Sequence, residues 1–486
     1  MGTPGVGKGG PAAKRQVVGR RSLLYTLVAV IRDSFVHAAI QAKGARPSFL
    51  PDYIPMTAPA AARAIGLDFG TTNTVAALAG PDGEAPSLVR LDTVEGEVFR
   101  SALCFWHDED VRGGLAVEAG PGAIREYLEY PSDSRFLQSF KSTAASRSFD
   151  TAPVFEKRFR FEELGRLFLD KLTRHAGGAL DRLDRVVVGR PVTYAGSRPD
   201  KALARQRYDA MFAGFAREVH YVYEPLAAAF GYAAQLTEPT TLLVADFGGG
   251  TSDFSVVRIA EPGAAQRCVP LGHAGVGIAG DRFDARIVDK LVLPFLGKGG
   301  KYRSFDKILD IPGGYFADLA DWSKLALMRN RRTLAELETL RRTAIDPQPI
   351  SRMIALIEHE LAFPLYDAVG RLKRALTQGH SAHFSFSSEK VVIEAEVSRA
   401  EFEGWIAADV ARMAGAVDRA LAEAGVTEGE IDRVFLTGGT SLVPAVRAIF
   451  TERFGAERIG TGGELTSIAD GLALIARQDD VAAWTA

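Results

Sequence analysis

The sequence predicts an α/β protein built around two similar β-hairpins that lie far apart along the chain. The first hairpin occupies residues 65–80 (IGLDFGTTNTVAALAG), and the second occupies residues 242–259 (LLVADFGGGTSDFSVVRI). In each segment an apolar strand runs into Asp-Phe-Gly, a turn rich in hydroxyl residues or glycine follows, and a second apolar strand returns. Glycine permits the positive φ angles of tight reversals, so both segments are predicted to be strand–turn–strand units. Their recurrence is weak internal self-similarity over a long period.

The glycine-rich turn of the second hairpin predicts a phosphate site. Backbone N–H groups that converge in such a turn form a concave anion site. Asp246 ends the preceding strand and would repel phosphate unless a cation lay between them, which points to Mg²⁺. For one such turn alone, an ordinary glycine-rich hairpin is an equal alternative. With two turns, backbone amides and hydroxyls are expected to hold one polyphosphate from both sides.

The composition favours a soluble globular protein. The chain has 486 residues, of which 47% are hydrophobic and 24% charged, and its formal net charge is −2. This balance gives no sign of a nucleic-acid partner, and the length allows two or three domains. Cys104 and Cys268 match no metal-ligand spacing, so we expect a cytoplasmic protein in a reducing compartment.

Residues 1–55 differ from the rest because they carry eight Lys or Arg against two Asp. We expect a disordered or wrongly started extension, with the domain opening at Met56. A signal-like or amphipathic anchor is the alternative, but the apolar run at 23–31 is too short to cross a bilayer. Residues 2–8 imitate a P-loop, yet Gly9 stands where Ser or Thr should hold Mg²⁺, so this interpretation is rejected.

Other segments predict regular elements. Apolar periodicity and turn residues favour helices at 121–130, 161–176, 321–340 and 401–424 and strands at 185–189 and 391–397. An arginine-rich band lies in 329–342; we expect a solvated helical face there, with a surface for an unidentified protein partner as the alternative.

Both hairpins resemble the phosphate hairpins of the actin-like ATPase superfamily, and specifically those of the DnaK-type heat shock protein 70 chaperones. The resemblance extends over residues 64–475, and it implies a helix at 208–216 after the strand at 185–189. It implies a two-lobed actin-like ATPase fold, with duplicated RNase H-like lobes and a central cleft for ATP or ADP with Mg²⁺. Lobe I is then expected at 56–240 and lobe II at 241–486, with a divergent insertion at about 298–360.

The resemblance also implies functional residues. Asp68 and Asp246 would hold Mg²⁺ through water. Lys141, Glu224, Thr251 and Asp253 would place or polarise the attacking water. With Asp68 and Asp246 they would form the catalytic set. The nucleotide would contact Gly70, Thr71, Thr72, Asn73, Gly248, Gly249, Gly250, Thr251, Gly280, Lys373, Arg374, Thr377, Gly438, Gly439 and Thr440.

Three positions depart from the family pattern. Asp281 stands where the family has Glu, Gly370 replaces a Glu that contacts adenosine, and Leu442 replaces an Arg near the adenine. We therefore expect recognition on the adenosine side to be altered or weakened.

The leading hypothesis is a monomeric, slow, Mg²⁺-dependent ATPase related to the chaperones. Because few residues follow Arg477, the client-binding domain is expected to be missing, as in the ATPase-only, YegD-like members. An MreB-like, filament-forming ATPase is the first alternative. A small-molecule kinase of the same superfold is the second, because a fold does not fix a function.

Overall fold

A computed structural model describes residues 63–485, apart from 82–83, 94–95, 132, 197, 263, 265–266, 322–327 and 462–465. The predictions for residues 1–55 lie outside the described residues.

The strands form several sheets. In chain order they are β1 (Ala64–Phe69), β2 (Asn73–Leu78), β3 (Ser87–Leu88), β4 (Phe99–Arg100), β5 (Ala102–His107), β6 (Leu115–Ala119), β7 (Ser134–Gln138), β8 (Ala152–Val154), β9 (Lys157–Phe159), β10 (Leu183–Arg190), β11 (Ala216–Tyr223), β12 (Thr240–Phe247), β13 (Ser252–Ile259), β14 (Cys268–Val276), β15 (Lys301–Ser304), β16 (Lys307–Asp310), β17 (Ser381–Ser387), β18 (Val392–Ser398), β19 (Arg433–Thr437) and β20 (Ile459–Thr461).

The helices flank these sheets. They are α1 (Gly120–Glu129), α2 (Phe161–His175), α3 (Lys201–Phe212), α4 (Glu224–Ala233), α5 (Gly280–Ile287), α6 (Gly313–Leu319), α7 (Arg331–Thr343), α8 (Gln348–Glu358), α9 (Ala362–Gln378), α10 (Arg399–Ala424), α11 (Pro444–Phe454) and α12 (Ser467–Ala476). Among the described residues, no helix combines the length and the apolar character that crossing a bilayer requires.

Two sheets repeat one topology. The first has the order β3-β2-β1-β10-β11, with β4 also beside β2, and the second has the order β14-β13-β12-β19-β20. In both, the first two pairings are antiparallel and the last two are parallel. The parallel core strands are buried along almost their whole length, as expected where both faces of a sheet are covered. The self-similarity seen in the sequence is therefore a duplicated lobe.

Both predicted hairpins are confirmed. β1 pairs antiparallel with β2, so that Asp68 lies opposite Val75. β12 pairs with β13, and Asp246 lies directly opposite Asp253. The second turn is closed by a hydrogen bond of 2.9 Å from the Gly248 N–H to the Thr251 carbonyl. Each turn therefore lies at the end of a buried strand, where its amides and hydroxyls are presented together.

One predicted helix has the wrong limits, whereas those at 121–130, 161–176 and 401–424 are confirmed to within a few residues. The helix predicted at 208–216 is α3, which begins earlier because Asp200 accepts a hydrogen bond of 3.0 Å from the Leu203 N–H. It ends before Gly214, whose φ of +82° is left-handed. Of the helix predicted at 321–340, the C-terminal part is α7, which begins at Arg331 where Asn330 caps it through the Thr333 N–H. Residues 322–327 lie outside the described residues.

The predicted insertion contributes to the second lobe. Leu337 of α7 and Ile350 and Met353 of α8 are buried in the main apolar cluster of that lobe. Three arginines of α7 pair with acids of the same helix: Arg332 with Glu336 at 2.9 Å, and Arg341 and Arg342 with Glu338. These short-range pairs are typical of the solvated helical face that the sequence predicts.

Helices α4 and α12 cross between the two sheets. α4 packs on β12 and β13 of the second sheet, and α12 packs on β1, β2 and β10 of the first. At the crossing a Cβ atom on Gly471 would overlap the carbonyl oxygen of Ala227, so only glycine allows this approach. One apolar cluster, which includes Val187, Leu226 and Val257, joins the two sheets through these helices.

Candidate functional site

The two hairpin turns face each other. A Cβ atom on Gly249 would lie 2.7 Å from the Thr72 hydroxyl oxygen, and one on Gly250 would lie 3.8 Å from that of Thr71. The turn of one lobe therefore touches the turn of the other, and a side chain at residue 249 would fill the space between them. The backbone N–H group of Asp281 donates to the Gly249 carbonyl at 2.8 Å, which joins the N-terminus of α5 to the same place.

An ion pair lies beside the turns. Lys141 is carried by a short 3₁₀ turn, Phe140–Thr143, that follows Ser139 in the left-handed conformation with φ 54°. Its Nζ atom donates to Oε1 of Glu224, the first residue of α4, at 2.6 Å. Both residues are 7% exposed, so the pair is almost completely removed from solvent. The structure thus brings together Lys141 and Glu224, which are far apart in sequence.

Four acids share the environment of this one lysine. Burial, with Glu224 next in importance, raises the pKa of Asp68 to about 7, whereas Lys141 acts against the shift. Burial, Glu224 and Asp68 together raise the pKa of Asp246 well above its usual value. Burial and Glu224 raise the pKa of Asp253 to about 8, although hydrogen bonds from Thr193 and Thr251 oppose them.

The lysine remains charged in this cluster. Burial alone would lower the pKa of Lys141, but Glu224 and Asp68 outweigh burial and raise it. Because one ammonium cannot balance four buried carboxylates, the raised pKa values mean that protons neutralise part of the cluster at neutral pH. A bound divalent cation would take the place of those protons, so the cluster fits the predicted Mg²⁺.

The arrangement fits an ion that keeps its water. Among the described residues, no three His, Cys, Asp or Glu side chains form a group that could hold a metal by itself. Mg²⁺ is commonly held by one or two carboxylates, with waters and phosphate oxygens completing an octahedron. Binding of Mg²⁺ through Asp68 and Asp246 stays a prediction that the chemistry of these residues supports.

A second group of predicted residues meets next to the turns. A Cβ atom on Gly280 would lie 3.0 Å from the Thr440 hydroxyl oxygen and 3.3 Å from Lys373 Nζ. Lys373 donates to the Gly280 carbonyl at 3.2 Å and pairs with Asp284 at 2.7 Å. Gly438 has a φ of +84° and packs so closely on the Phe247 carbonyl that no other residue fits. The loop after β19 is therefore anchored to the end of β12.

Other predicted contacts are directed elsewhere. The Thr377 hydroxyl donates to the Arg374 carbonyl at 2.7 Å, within its own helix. Asn73 accepts a hydrogen bond of 2.9 Å from Arg100. The space beside Gly370 is taken by the Arg374 guanidinium, 3.4 Å from the Cβ position, and Leu442 is 53% exposed. The adenosine side thus lacks the carboxylate and the arginine that the resemblance implies.

Sequence reasoning missed two contributors. The backbone N–H of Thr193 donates to Asp253 Oδ1 at 3.0 Å. Burial raises the pKa of Tyr194, whereas Arg190 and Lys141 act against the shift, so Tyr194 lies within electrostatic reach of the ion pair. Both residues follow the end of β10, and their position after a buried parallel strand was the only available signal.

The turns open into a larger cavity between the lobes. Its volume is about 1680 Å³. Phe140 and Ser142 line it from the first lobe, and Gly250, Asp281 and Phe316 line it from the second. A molecule the size of a nucleoside triphosphate could therefore reach the turns from this side.

Comparisons with known proteins agree with this geometry. A family model described as "Hsp70 protein" matches residues 357–477, and one described as "MreB/Mbl protein" matches residues 164–292. Together with the duplicated sheets, these matches show that the chain has the two-lobed actin-like ATPase fold.

Curated relatives include bacterial chaperones. The chain is 26% identical over 412 residues to "Chaperone protein DnaK" of Thermus thermophilus, covering 82% of this chain and 57% of the relative. It is 26% identical over 411 residues to "Chaperone protein DnaK" of Trichormus variabilis and 25% identical over 411 residues to "Chaperone protein dnaK1" of a Nostoc species, covering 81% of this chain and 51% of each relative. The chain spans about half the length of these relatives. The comparisons support a relationship to the Hsp70 and actin-like ATPases.

Proposed function

We propose that this chain binds ATP with Mg²⁺ between its lobes and hydrolyses it slowly, as a chaperone-related ATPase whose lobes close on binding and reopen after hydrolysis. One observation carries the proposal: two facing turns from duplicated hairpins adjoin four buried acids that share one lysine. The similarity to DnaK chaperones supports the choice of ATP. A cytoplasmic location, a monomeric state and a closer kinship to YegD-like members remain predictions.

The turns would hold the phosphates. The hydroxyl groups of Thr71 and Thr72 lie across a narrow gap from Gly250 and Gly249. Together with backbone N–H groups of the second turn, these hydroxyl groups would donate to phosphate oxygens. The two turns would move apart to admit a phosphate, because even a Cβ atom at residue 249 would lie only 2.7 Å from the Thr72 hydroxyl oxygen. Asp68 and Asp246 would hold the hydrated Mg²⁺, which when bound neutralises phosphate oxygens and favours phosphoryl transfer.

The ion pair would place the attacking water. Glu224 holds the Lys141 ammonium at 2.6 Å, which leaves its remaining N–H donors for water or a phosphate oxygen. Asp253, fixed by the Thr193 N–H, offers its other carboxylate oxygen as an acceptor for water, and the Thr251 hydroxyl orients that carboxylate. Phosphoryl transfer depends mainly on positioning and charge, so these few groups are sufficient.

Calorimetric titration tests the proposal. We expect ATP and ADP to bind with Mg²⁺ and to bind at least tenfold more weakly without it. Because Gly370 and Leu442 remove adenine contacts, GTP should compete with ATP for this site more effectively than it does in relatives that carry both contacts. Asp246→Asn should weaken binding in the presence of Mg²⁺, whereas Asp310→Asn on the exposed strand β16 should not. If the affinity for nucleotide changes neither when Mg²⁺ is removed nor in Asp246→Asn, the proposed site is wrong.

A filament-forming ATPase is the second candidate, because the MreB/Mbl family model matches residues 164–292. Light scattering after addition of ATP distinguishes a filament-forming ATPase from the chaperone-related ATPase proposed above. Filaments would scatter more strongly as ATP is added, whereas a monomeric ATPase would give a constant signal at the same protein concentration.

A further inference from the structure

A small pocket in the first lobe has no role in the proposed site. It lies between α3 and the adjoining strands β10 and β11, and its volume is about 270 Å³. Three basic and three tyrosine side chains line it: Arg190, Lys201, Arg205, Tyr194, Tyr208 and Tyr221. The residues contributed by α3 are three or four positions apart, so they share one face of the helix.

The innermost wall carries a polar group without a partner. Tyr208 is 1% exposed, and its hydroxyl has no hydrogen-bond partner among the described residues. The Nε–H group of Arg190 is also buried without an acceptor, while its guanidinium lies over the Tyr223 ring, 4.4 Å from the centroid. Buried polar groups in folded proteins are nearly always hydrogen-bonded. An unpaired hydroxyl and an unpaired guanidinium N–H at one pocket therefore indicate a ligand that accepts hydrogen bonds.

The charge of the lining favours an anion. Neither Arg190 nor Lys201 forms an ion pair with any acid in the part of the chain that the structure describes. Arg205 pairs with Asp209 at 3.1 Å, and Glu224, which also lies within electrostatic reach of Tyr208, is paired with Lys141. Guanidinium and ammonium groups only donate hydrogen bonds, and they bind oxyanions most strongly.

We propose that this pocket binds a compact oxyanion such as phosphate. Such an ion offers acceptor oxygens to the Tyr208 hydroxyl and to Arg190 together, and Lys201 closes the mouth. The pocket volume accommodates one phosphate with a few waters. Tyr194 connects the pocket to the cleft, because it lines the pocket and also lies within electrostatic reach of Lys141. The binding step itself does not depend on the proposed ATPase activity.

Titration of the nucleotide-free chain with inorganic phosphate, at constant ionic strength, tests this inference. We expect a site whose Kd rises about tenfold or more in Arg190→Gln and Lys201→Ala, since a charge-assisted hydrogen bond is lost. Tyr208→Phe keeps the ring and should raise Kd several-fold. Lys307→Ala, on exposed β16, is the matched control and should leave Kd unchanged.

The phosphate hairpins are a competing site for the same ion, so Thr72→Ala is titrated in parallel. Loss of binding in Thr72→Ala with no change in Tyr208→Phe and Arg190→Gln would show that phosphate occupies the cleft, and the proposal would be wrong. No saturable binding would mean that the pocket holds water only, which also overturns it. Glycerol phosphate is titrated alongside, and tighter binding than that of inorganic phosphate identifies a phosphate monoester as the natural ligand.

Discussion

At the scale of single residues, the contact between Lys141 and Glu224 is the most informative. It joins a 3₁₀ turn of the first lobe to the first residue of the helix that packs on the second sheet. Buried ion pairs add little net stability, but removing one partner is costly, because an uncompensated charge stays behind. The pair is therefore better explained by chemistry than by stability.

Removal of the ammonium group should separate binding from hydrolysis. We expect Lys141→Ala to bind ATP within a few-fold of the unchanged chain and to lower single-turnover hydrolysis about 100-fold or more, since a positioned cation is lost. Quench-flow with radiolabelled ATP measures this. The variant Lys141→Met/Glu224→Gln removes both charges and checks that the effect is not loss of folding. Unchanged single-turnover hydrolysis in Lys141→Ala would refute the role of Lys141.

The carboxyl group of Asp281 should give stability a pH dependence. Burial, followed by Asp284, raises its pKa from 3.8 to about 6, although Lys373 acts against the shift. Because the folded state binds this proton more tightly than the unfolded state, stability falls as the pH rises through that interval. Asp281→Asn should remove roughly 2–3 kcal/mol of this fall between about pH 4 and pH 6.

Urea unfolding at several pH values gives the free energy of unfolding against pH for the nucleotide-free unchanged chain and for Asp281→Asn. The difference between these two profiles tests the prediction. The acids Asp68 and Asp253 titrate with the same sign in both proteins, so only the difference is assigned to Asp281. Asp310→Asn serves as the control for an exposed acid. Parallel profiles for the unchanged chain and Asp281→Asn would contradict the prediction.

At the scale of elements, the crossing of α4 and α12 makes the strongest demand on sequence. We expect Gly471→Ala to destabilise the chain by roughly 2–4 kcal/mol, because the new methyl group overlaps the Ala227 carbonyl and the helices must separate. Gly404→Ala in α10 is the matched control: nothing lies within 4 Å of its Cβ position, so it should stabilise by about 0.5–1 kcal/mol. Equal effects of the two substitutions would rule out the close contact.

The hairpins could be predicted because their signals are local. Asp246 and Asp253 belong to one strand–turn–strand segment, and the pattern of apolar residues sets their pairing. The limits of α3 depend instead on a cap at Asp200 and a left-handed glycine, which compete with a helical pattern that continues beyond them. The hydrogen bond from Thr193 to Asp253 joins the loop after β10 to a strand of the other sheet, so no local pattern contains it.

At the scale of the whole molecule, the proposed nucleotide site takes residues from both lobes, so ligand binding and folding would be linked. We expect Mg²⁺ and ATP at a hundredfold excess over Kd to stabilise the fold by about 2.7 kcal/mol, which corresponds to a rise of several degrees in Tm. Differential scanning calorimetry measures this rise. EDTA should cancel most of it, and Asp246→Asn should show little of it at any Mg²⁺ concentration. An equal rise in Tm in the presence of EDTA would show that nucleotide binding does not require Mg²⁺.

The glycine contact between α4 and α12 would also restrict the proposed opening and closing of the lobes. Backbone touches backbone at Gly471 and Ala227, so no side chain there can be compressed or repacked. Sliding along the contact would drive the neighbouring residues together, whereas turning about it leaves the distance unchanged. We expect this point to act as a pivot. A rotation of a few degrees there is amplified with distance, so the parts of the two lobes farthest from the contact would travel farthest.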